Sequence, residues 1–383
     1  MTVSVSDPLP LSDATLDRLP ADIARPVYDR AALTPGMVHI GLGNFHRAHQ
    51  AWYLHRLMQL GAARDWAILG AGVRSYDAAM REKLLAQDCL TTLIELSPDS
   101  RSAEVTGAMI DYLPIEEGNA SLIRAMADPA IRIVALTVTE GGYHIDPATG
   151  GLDTGHADIR HDAQNPDRPR TAFGAMVAAL RQRRAAGHGP FTGMSCDNLR
   201  GNGDILRQAV VGLARLSDPD LAGWIDSEGA FPNSMVDCIV PATGPAERAL
   251  ARDLGIADEV PVTHENYRQW VLEDAFCAGR PDWDRVGATL PADVHSYEMM
   301  KIRILNAGHQ VLANAGELLS QGTIADCMTH PVIRAFFRKV QSEEILPYID
   351  PVPDMTPDQY LDLIESRFAN PAIRDTTRRV AFD

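Results

Sequence analysis

The clearest pattern of apolar and polar positions along the chain lies in residues 297–321, which contain no proline and are rich in helix-forming residues. On a helical wheel with about 100° per residue, this segment has one apolar and one polar face. The apolar stripe consists of Leu305, Gly308, Leu312, Ala315 and Leu319, and the polar face of Arg303, Gln310, Asn314, Glu317 and Gln321. The pattern predicts one amphipathic helix that runs through the whole segment.

Lys301 lies in the middle of the apolar stripe of this predicted helix. Burial disfavours the charged form of a lysine, so the pKa of a buried Lys301 would fall. Asn306 and His309 lie one turn apart on the flank beside it. A neutral lysine next to an amide and an imidazole is a candidate general base. The pattern fits equally well a lysine that reaches out to solvent at the start of the helix, so both interpretations stay open.

Four shorter apolar runs, residues 37–43, 66–73, 131–138 and 191–195, have the length and composition of buried strands. Continuous apolar runs are typical of parallel strands that are covered on both faces. The first run ends in glycines and is followed at once by a helical pattern over residues 44–61. This order of strand, glycine turn and helix opens a dinucleotide-binding unit.

The glycine turn after the first run resembles a dinucleotide-binding fingerprint in which Gly41 and Gly43 hold the first two glycine positions and His46 replaces the third. The glycines would let the backbone approach a pyrophosphate, and Arg47 would add a positive charge. Asp77, past the second run, would accept hydrogen bonds from an adenosine ribose and repel a 2′-phosphate, which favours NAD over NADP. The same aspartate also fits an N-cap of the helix that follows.

Polar residues follow the other two runs, with Thr139 and Glu140 after the third and Asn198 after the fourth. Ligands in open α/β sheets collect at such strand ends. Asp237 lies inside a further apolar run, where an aspartate is more often paired or facing a ligand than free. Residues 264–276 alternate polar and aromatic side chains, and no role follows from this pattern.

Residues 281–293 mix proline and glycine between patterned segments and indicate a domain boundary. We predict an α/β Rossmann-type N-terminal domain over residues 1–290 and a mostly α-helical C-terminal domain over residues 291–383. Prolines separate the helices of the second domain, which are predicted over residues 331–343, 357–367 and 372–380.

The composition of the 383 residues narrows the class of protein. A net charge of −16 without any lysine-arginine run argues against nucleic acid and anionic membrane surfaces as partners. The five cysteines are scattered and form no C-x-x-C pair, so the sequence predicts neither a metal site nor a disulfide framework. There is no targeting pattern at the N-terminus and no apolar window long enough to span a membrane, which indicates a cytoplasmic protein.

Several stretches occur in the same order as in the polyol-specific long-chain dehydrogenases, which the chain resembles over residues 39–380. These stretches are GLGNFHRAHQ, LTVTEGGY, SCDNLRGNG, FPNSMVDCIVP, QWVLED and KIRILNAGH. The K-x4-N-x2-H pattern after a separate SCDN loop is the most specific of them. The resemblance implies the two-domain fold given above, with the site between the domains. Chains of this family continue with further helices past the position of Asp383, so the second domain looks shortened.

The resemblance also implies roles for individual residues. Lys301 becomes the catalytic base, and Asn198 and Asn306 become the amides that hold the reacting oxygen. His309 and Arg379 become contacts to substrate hydroxyls, and Asp237 a group that binds the substrate or supports one that does. Glu140 and Glu298 match acidic residues that line the route to the base. The predicted cofactor contacts are Gly41, Gly43, Phe45, His46, Arg47, Asp77 and Thr139.

The activity implied by the resemblance is oxidation of a secondary alcohol of a polyol to a ketose with NAD, of the mannitol-to-fructose type, without a metal ion. Arabinitol and sorbitol dehydrogenases and the reductases of fructuronate or tagaturonate are alternatives within the family. A sugar acid requires a cation for its carboxylate, and Arg303 on the polar face is a poor candidate. Tyr76 stands where relatives can carry a second acid, which leaves strict NAD preference open. A nucleotide-binding protein without turnover is the alternative from another class, and the oligomeric state is expected to be a monomer or a small homo-oligomer.

Overall fold

The computed structural model describes residues 7–382. The strands are β1 (Leu9–Pro10), β2 (Pro35–Ile40), β3 (Ala67–Ala71), β4 (Thr91–Leu96), β5 (Arg101–Thr106), β6 (Met109–Tyr112), β7 (Ile133–Leu136), β8 (Thr192–Ser195), β9 (Ser234–Asp237), β10 (Ile256–Ala257), β11 (Val262–Glu265) and β12 (Gln269–Leu272). The α-helices as far as the predicted boundary are α1 (Asn44–Ala48), α2 (Gln50–Gln59), α3 (Asp77–Leu85), α4 (Ala120–Ala127), α5 (Ala157–Gln164), α6 (Ala172–Ala185), α7 (Asn202–Ser217), α8 (Pro219–Glu228) and α9 (Pro245–Asp253).

From residue 295 onward the described chain is almost entirely helical. The α-helices are α10 (His295–Met300), α11 (Ala307–Leu318), α12 (Ile324–Thr329), α13 (Pro331–Lys339), α14 (Pro357–Phe368) and α15 (Thr377–Phe382). Two single π-helical turns, Lys301–Asn306 and Val340–Ile345, continue α10 and α13. Short 3₁₀ helices lie at Asp13–Arg18, Arg30–Ala32, Glu140–Tyr143, Trp283–Val286 and Leu346–Tyr348.

Five parallel strands form the central sheet, in the order β6-β3-β2-β7-β8. All four residues of β7 are buried because helices cover both faces of the sheet, as a continuous apolar run requires. Together with the helical C-terminal region, this sheet confirms the predicted fold class. The four apolar runs extend past the observed strands at their ends, and β6 is a fifth strand that the pattern did not predict.

The described residues also form three smaller sheets, one of which is the parallel pair of β1 and β10. The order β11-β4-β5 forms a mixed three-stranded sheet, and β12 pairs antiparallel with β9. Residues 264–276, for which we predicted no role, contribute the end of β11 and all of β12.

The predicted single helix over residues 297–321 is wrong in two respects. The π turn Lys301–Asn306 interrupts the α-helical periodicity, and the helix ends at Leu318. Leu319, placed in the apolar stripe by the wheel, is 47% exposed because it lies past that end. The last predicted helix, over residues 372–380, begins instead at Thr377. Within residues 7–382, none of the helices combines the length and apolar character needed to cross a bilayer.

Candidate active site

A cavity of about 220 Å³ opens where the ends of β8 and β9 meet the start of the helical region. Asn198 reaches it from the loop after β8, and Met235 lines it from β9. Glu298 of α10, followed by Lys301 and Asn306, lines the opposite wall. The fold thus brings together four of the residues predicted to form the site, although they come from two segments about one hundred positions apart.

The π turn explains how Lys301 and Asn306 line the same cavity. In an α-helix, residues five positions apart differ by about 140° around the axis, so one of the two would face away. In a π turn, the backbone bonds to the fifth residue along, which brings such a pair onto one side. The interior supports this turn: the buried amide of Gln341, from the second π turn, donates to the carbonyl oxygen of Ile304 at 3.0 Å.

Lys301 is a buried residue and does not reach out to solvent, since its exposed fraction is 7%. Its Nζ donates to Oδ1 of Asn198 at 2.5 Å. Burial lowers the pKa of Lys301, and the nearby carboxylate of Asp237 opposes this shift. Among residues 7–382, no carboxylate forms an ion pair with its ammonium group. A desolvated lysine without a paired anion releases its proton more readily than an exposed lysine does.

His309 lies one helical turn past Asn306, half-buried against Phe368. The two rings stack with centroids 4.2 Å apart. Burial lowers the pKa of His309 to about 3, so the imidazole is neutral at physiological pH. Its Nε2 is buried and has no hydrogen-bond partner in the described part of the chain. A neutral ring with an unused nitrogen can bind a hydroxyl group of a ligand.

Asp237 is buried at the end of β9, where both of its oxygens accept hydrogen bonds from Arg367 of α14, at 2.7 and 2.8 Å. The same guanidinium donates to Glu265 of β11 at 2.7 and 2.9 Å. Of the two expected states of this aspartate, paired or facing a ligand, the structure shows the paired one. The arginine joins the helical region to two strands, and its charge is shared between two carboxylates.

Sequence reasoning missed Arg367, Glu265 and the ring of Tyr267, which lies 4.2 Å from the guanidinium carbon. A signal for the arginine was present in the sequence. On the wheel of α14, Arg367 falls among the apolar positions Tyr360, Ile364 and Phe368, in the same way that Lys301 falls on the apolar stripe of its own helix.

Glu298 is buried beside the cavity, where Oε1 accepts the backbone N–H of Gly201 at 3.0 Å. Burial raises the pKa of Glu298 above its usual range. Glu140, by contrast, is exposed in the 3₁₀ turn after β7 and does not line the cavity. A carboxyl group with a raised pKa next to a lysine with a lowered pKa forms a pair suited to proton exchange.

Arg379 of α15 also lies outside the lining of the cavity. It forms a bidentate ion pair with Asp375, with Nη2 2.6 and 2.7 Å from the two oxygens, and its side chain is 57% exposed. Its charge contributes to the lowered pKa of His309, which places both residues in the same region of the molecule.

The glycine turn between β2 and α1 fits a ligand that approaches the backbone closely. Gly41 has φ +92°, and a Cβ atom there would lie 2.1 Å from the carbonyl oxygen of Thr137. Such a position excludes any other residue. Gly43, which precedes the first turn of α1, has no heavy atom within 4 Å of its Cβ position, so the turn is open on this side.

The side chains of His46 and Arg47 need a correction, because both are 1% exposed. His46 stacks on His39 of β2 with centroids 3.4 Å apart, so stacked imidazoles occupy the helix–strand contact that a third glycine would provide. Arg47 donates to the carbonyl oxygens of Gly43 and Val260. Its guanidinium therefore supports the turn from inside and does not present its charge to a cofactor.

Other predicted cofactor residues lie around the same edge of the sheet. Phe45 is partly buried and stacks on His49 at 4.8 Å. Asp77 folds back onto the end of β3, since a Cβ atom on Gly72 would lie 2.4 Å from its Oδ2. Thr139 has φ +63°, and the carboxylate of Asp197 accepts its backbone N–H at 2.9 Å. This bond ties the loop after β7 to the loop after β8.

Two family models match the chain. The mannitol dehydrogenase Rossmann domain matches residues 35–285, and the mannitol dehydrogenase C-terminal domain matches residues 293–383. A mannitol 2-dehydrogenase of Cereibacter sphaeroides is 61% identical over 361 residues, covering 94% of this chain and 76% of the relative. A polyol:NADP oxidoreductase of Gluconobacter oxydans is 42% identical and covers 96% of this chain and 76% of the relative.

Two solved structures share the fold over nearly the whole chain. One is the Pseudomonas fluorescens mannitol 2-dehydrogenase in a ternary complex with NAD and D-mannitol, with a TM-score of 0.92, 42% identity and coverage of 97% of this chain and 76% of that one. The other is a substrate-free D-sorbitol dehydrogenase, with a TM-score of 0.91, 40% identity and coverage of 97% and 77%. The predicted family is thereby confirmed: the chain belongs to the mannitol dehydrogenase family of polyol dehydrogenases.

Proposed function

We propose that this chain oxidises a secondary alcohol of a neutral polyol to the ketone with NAD, as in the conversion of mannitol to fructose. The observation that carries the proposal is the buried Lys301, whose Nζ lies 2.5 Å from Oδ1 of Asn198 in a cavity that Asn306 also lines. The similarity to proteins named for mannitol, sorbitol and polyols supports the substrate class.

Lys301 acts as the general base in this proposal. Because burial lowers its pKa, a usable fraction is neutral and can accept the proton of the substrate hydroxyl. Glu298, in the same cavity and with a raised pKa, can pass the proton on toward solvent. Bound NAD supplies the chemistry that the protein lacks, which is acceptance of a hydride from the alcohol carbon.

The two asparagines hold the reacting oxygen. Oδ1 of Asn198 accepts a hydrogen bond from the lysine, which leaves its amide N–H groups for the substrate. The amide of Asn306 faces the same cavity from the end of the π turn. Amide donors aimed at the developing negative charge stabilise it as an oxyanion hole does, so hydride transfer in this site uses no metal ion.

Residues of the chain also fit NAD. The turn at Gly41 and Gly43 can admit a pyrophosphate. Asp77, which folds back onto the end of β3, can accept hydrogen bonds from the adenosine ribose. An aspartate there repels a 2′-phosphate, although a relative 42% identical is named for NADP. Asp77→Ala should weaken NAD binding and relax discrimination against NADP. If the preference for NAD over NADP is unchanged in this variant, the assignment of Asp77 is wrong.

A neutral substrate fits the charges near the site better than a sugar acid does. Arg367 can bind a substrate carboxylate only if it loses its ion pair with Asp237 or with Glu265. Arg200, which is exposed and lines the cavity, is the observation that favours the alternative, reduction of fructuronate or tagaturonate. Its exposed position beside the cavity makes it the cation that a carboxylate would contact.

The experiment that tests the proposal is a substrate panel read by the near-ultraviolet absorbance of the reduced nicotinamide. Mannitol, sorbitol and arabinitol are tested with NAD and with NADP, and the keto acids fructuronate and tagaturonate with NADH and with NADPH, for wild type and Arg200→Ala. We expect turnover of neutral polyols that is unaffected by Arg200→Ala. If the wild type turns over the acids and Arg200→Ala does not, the alternative, reduction of fructuronate or tagaturonate, is established. Tight NADH binding without turnover of any substrate indicates a nucleotide-binding protein.

A further inference from the structure

A cluster of possible metal ligands lies in the loop region after β7, apart from the cavity that holds Lys301. His144, His156 and Asp158 each offer one ligand atom, and these atoms all lie within 4.8 Å of one another. The two imidazole rings have centroids 4.2 Å apart. Two histidines and a carboxylate are a common ligand set for zinc.

The segment that joins the two histidines is folded back on itself. The carbonyl oxygen of His144 accepts the N–H of Asp153 at 2.7 Å, and Ile145 forms an isolated bridge with Leu152. These contacts hold residues twelve positions apart close together. The convergence of the side chains is therefore built into the backbone and does not depend on one flexible loop.

His144 has an unused donor or acceptor directed into the protein. Its Nε2 is buried and has no hydrogen-bond partner in the part of the chain that the structure describes. A buried polar atom without a partner costs free energy, and a ligand would recover it.

Asp158 supplies the negative charge, and its present contacts leave it able to bind a cation. Arg74 lies 3.4 Å from Oδ2 and Arg170 lies 4.0 Å from Oδ1, both longer than a charge-assisted hydrogen bond of about 2.7–2.9 Å. His156 is the N-cap of α5 and accepts the N–H of Asp158 through Nδ1 at 3.2 Å. If Nε2 of His156 bound the metal, the bond to the metal would replace this long cap bond.

We propose that His144, His156 and Asp158 form a binding site for a zinc-like divalent ion. The three side chains would move closer together to reach the bond lengths of about 2.0–2.2 Å that zinc requires, with water in the fourth position. The ion would join the segment after β7 to the start of α5. Tyr143 directly precedes His144, and its hydroxyl contacts Asp197 at 2.8 Å, so the ion would also steady the loop that carries Asn198.

The test is titration of chelator-treated protein with Zn²⁺ by calorimetry and with Co²⁺ by visible absorption. Cys277 is exposed, and its thiol could bind zinc, so the titrations use wild type and Cys277→Ser. The variants are His144→Ala and His156→Asn, the second of which keeps an N-cap side chain for α5. His330→Asn is the matched control, because His330 caps α13 with its own Nδ1 and belongs to no such cluster within residues 7–382.

We expect one equivalent of Zn²⁺ to bind to wild type and to Cys277→Ser, with a rise in melting temperature. Both site variants should weaken binding more than about tenfold, since even residues that support a ligand contribute 10–100-fold. The His330→Asn control should leave affinity unchanged. Absence of saturable binding in wild type overturns the proposal, and so does unchanged affinity in His156→Asn. These binding and melting measurements do not involve turnover, so their outcome is independent of the proposed function.

Discussion

Lys301 and Arg367 are two buried cations of the helical region, and their surroundings are opposite. The lysine donates to a neutral amide oxygen of Asn198, whereas the arginine donates four hydrogen bonds to the carboxylates of Asp237 and Glu265. Burial therefore lowers the pKa of the lysine, while the two anions raise the pKa of the arginine despite its burial. The same degree of burial produces a group that can lose its proton and one that keeps it.

Because their surroundings differ, the lysine and the arginine are suited to different roles. A cation that can become neutral is suited to accept a proton from a substrate. A cation bound to two anions is suited to hold structural elements together and to set the electrostatic potential around its neighbours. Arg367 also contributes to the lowered pKa of Lys301, whereas Asp237 opposes it, so the ion cluster tunes the lysine without contact.

Replacement of Lys301 should have the largest effect on turnover. We expect Lys301→Ala to lower the rate of alcohol oxidation by about 10²–10⁴-fold, the range typical of a lost general base. In wild type, oxidation should rise with pH through the lowered pKa of Lys301 and then level off, because the neutral lysine is the active form. Ketone reduction needs the protonated form and should fall over the same range. The measurement is a pH profile of turnover in both directions.

Added small amines should restore part of the rate of Lys301→Ala, since they can occupy the space of the side chain and accept the proton. NAD affinity should stay unchanged, because the lysine belongs to the helical region and not to the central sheet that carries the glycine turn. Lys339→Ala is the control, as Lys339 is 68% exposed and pairs with Glu343 on the surface. A variant at Lys301 that keeps the wild-type pH profile removes this residue as the base, and His309 is then the next candidate.

Replacement of Arg367 should affect stability first. Arg367→Met leaves two buried carboxylates without their cation, so we expect the free energy of unfolding to fall by about 3–5 kcal/mol. The measurement is urea unfolding, with Arg168→Ala as control. Arg168 pairs with Glu117 where both are exposed, and such a pair contributes about 0–1 kcal/mol.

The pH profile separates electrostatic tuning from mere loss of structure in the same variant. With Arg367 absent, the negative charge of Asp237 acts on Lys301 without opposition and should raise its pKa. The rise of oxidation with pH in Arg367→Met should therefore move to higher pH. A profile that is lower in rate but unmoved along the pH axis shows that the arginine has a structural role alone.

Removal of the neutral partner of the lysine should have a slightly smaller effect. We expect Asn198→Ala to slow hydride transfer by about 10²–10³-fold, as for other lost oxyanion donors. Asn306→Ala should act on the same step, and the double variant should lose less than the product of the two effects if the amides act as a unit. The measurement is the kinetic isotope effect with alcohol deuterated at the reacting carbon. If the variants keep a rate near that of wild type and their isotope effect is unchanged, this assignment is wrong.

The aromatic contact of the arginine should have the smallest effect. Tyr267 lies with its ring 4.2 Å from the guanidinium carbon, and its hydroxyl donates to Gln269 at 3.1 Å. Tyr267→Leu removes the ring and the hydroxyl, whereas Tyr267→Phe removes the hydroxyl alone. We expect the leucine variant to be less stable than the phenylalanine variant by about 0.5–2 kcal/mol. Equal unfolding free energies would show that the stacked ring adds nothing to the ion cluster.

The sequence predicted the elements whose pattern is local. Continuous apolar runs indicated the parallel strands, and the wheel placed Lys301 on the inner face of its helix. The expectation that Asp237 is paired or faces a ligand followed from one carboxylate inside an apolar run. In each case, the decisive physical quantity was burial, which a period of apolar residues encodes directly.

The remaining features depend on pairs that the pattern does not connect. Arg367 and Asp237 are 130 positions apart, so their ion pair appears when the fold is assembled. His46 and Arg47 follow a glycine fingerprint, but the fold turns both side chains inward, against His39 and Val260. The π turn differs from an α-helix by one backbone step, which a wheel of fixed period cannot represent.

The π turn also restricts the number of residues in its segment more strictly than it restricts their types. Loss of one residue between Lys301 and Asn306 would close the turn into a regular α-helix, in which the two residues, then four positions apart, would still lie on one side. The buried amide of Gln341 would then lose the carbonyl oxygen of Ile304 that the wider turn presents to it. We therefore expect homologous chains to vary in side chains at residues 302–305 but to keep their number, so that gaps in an alignment are absent from this stretch.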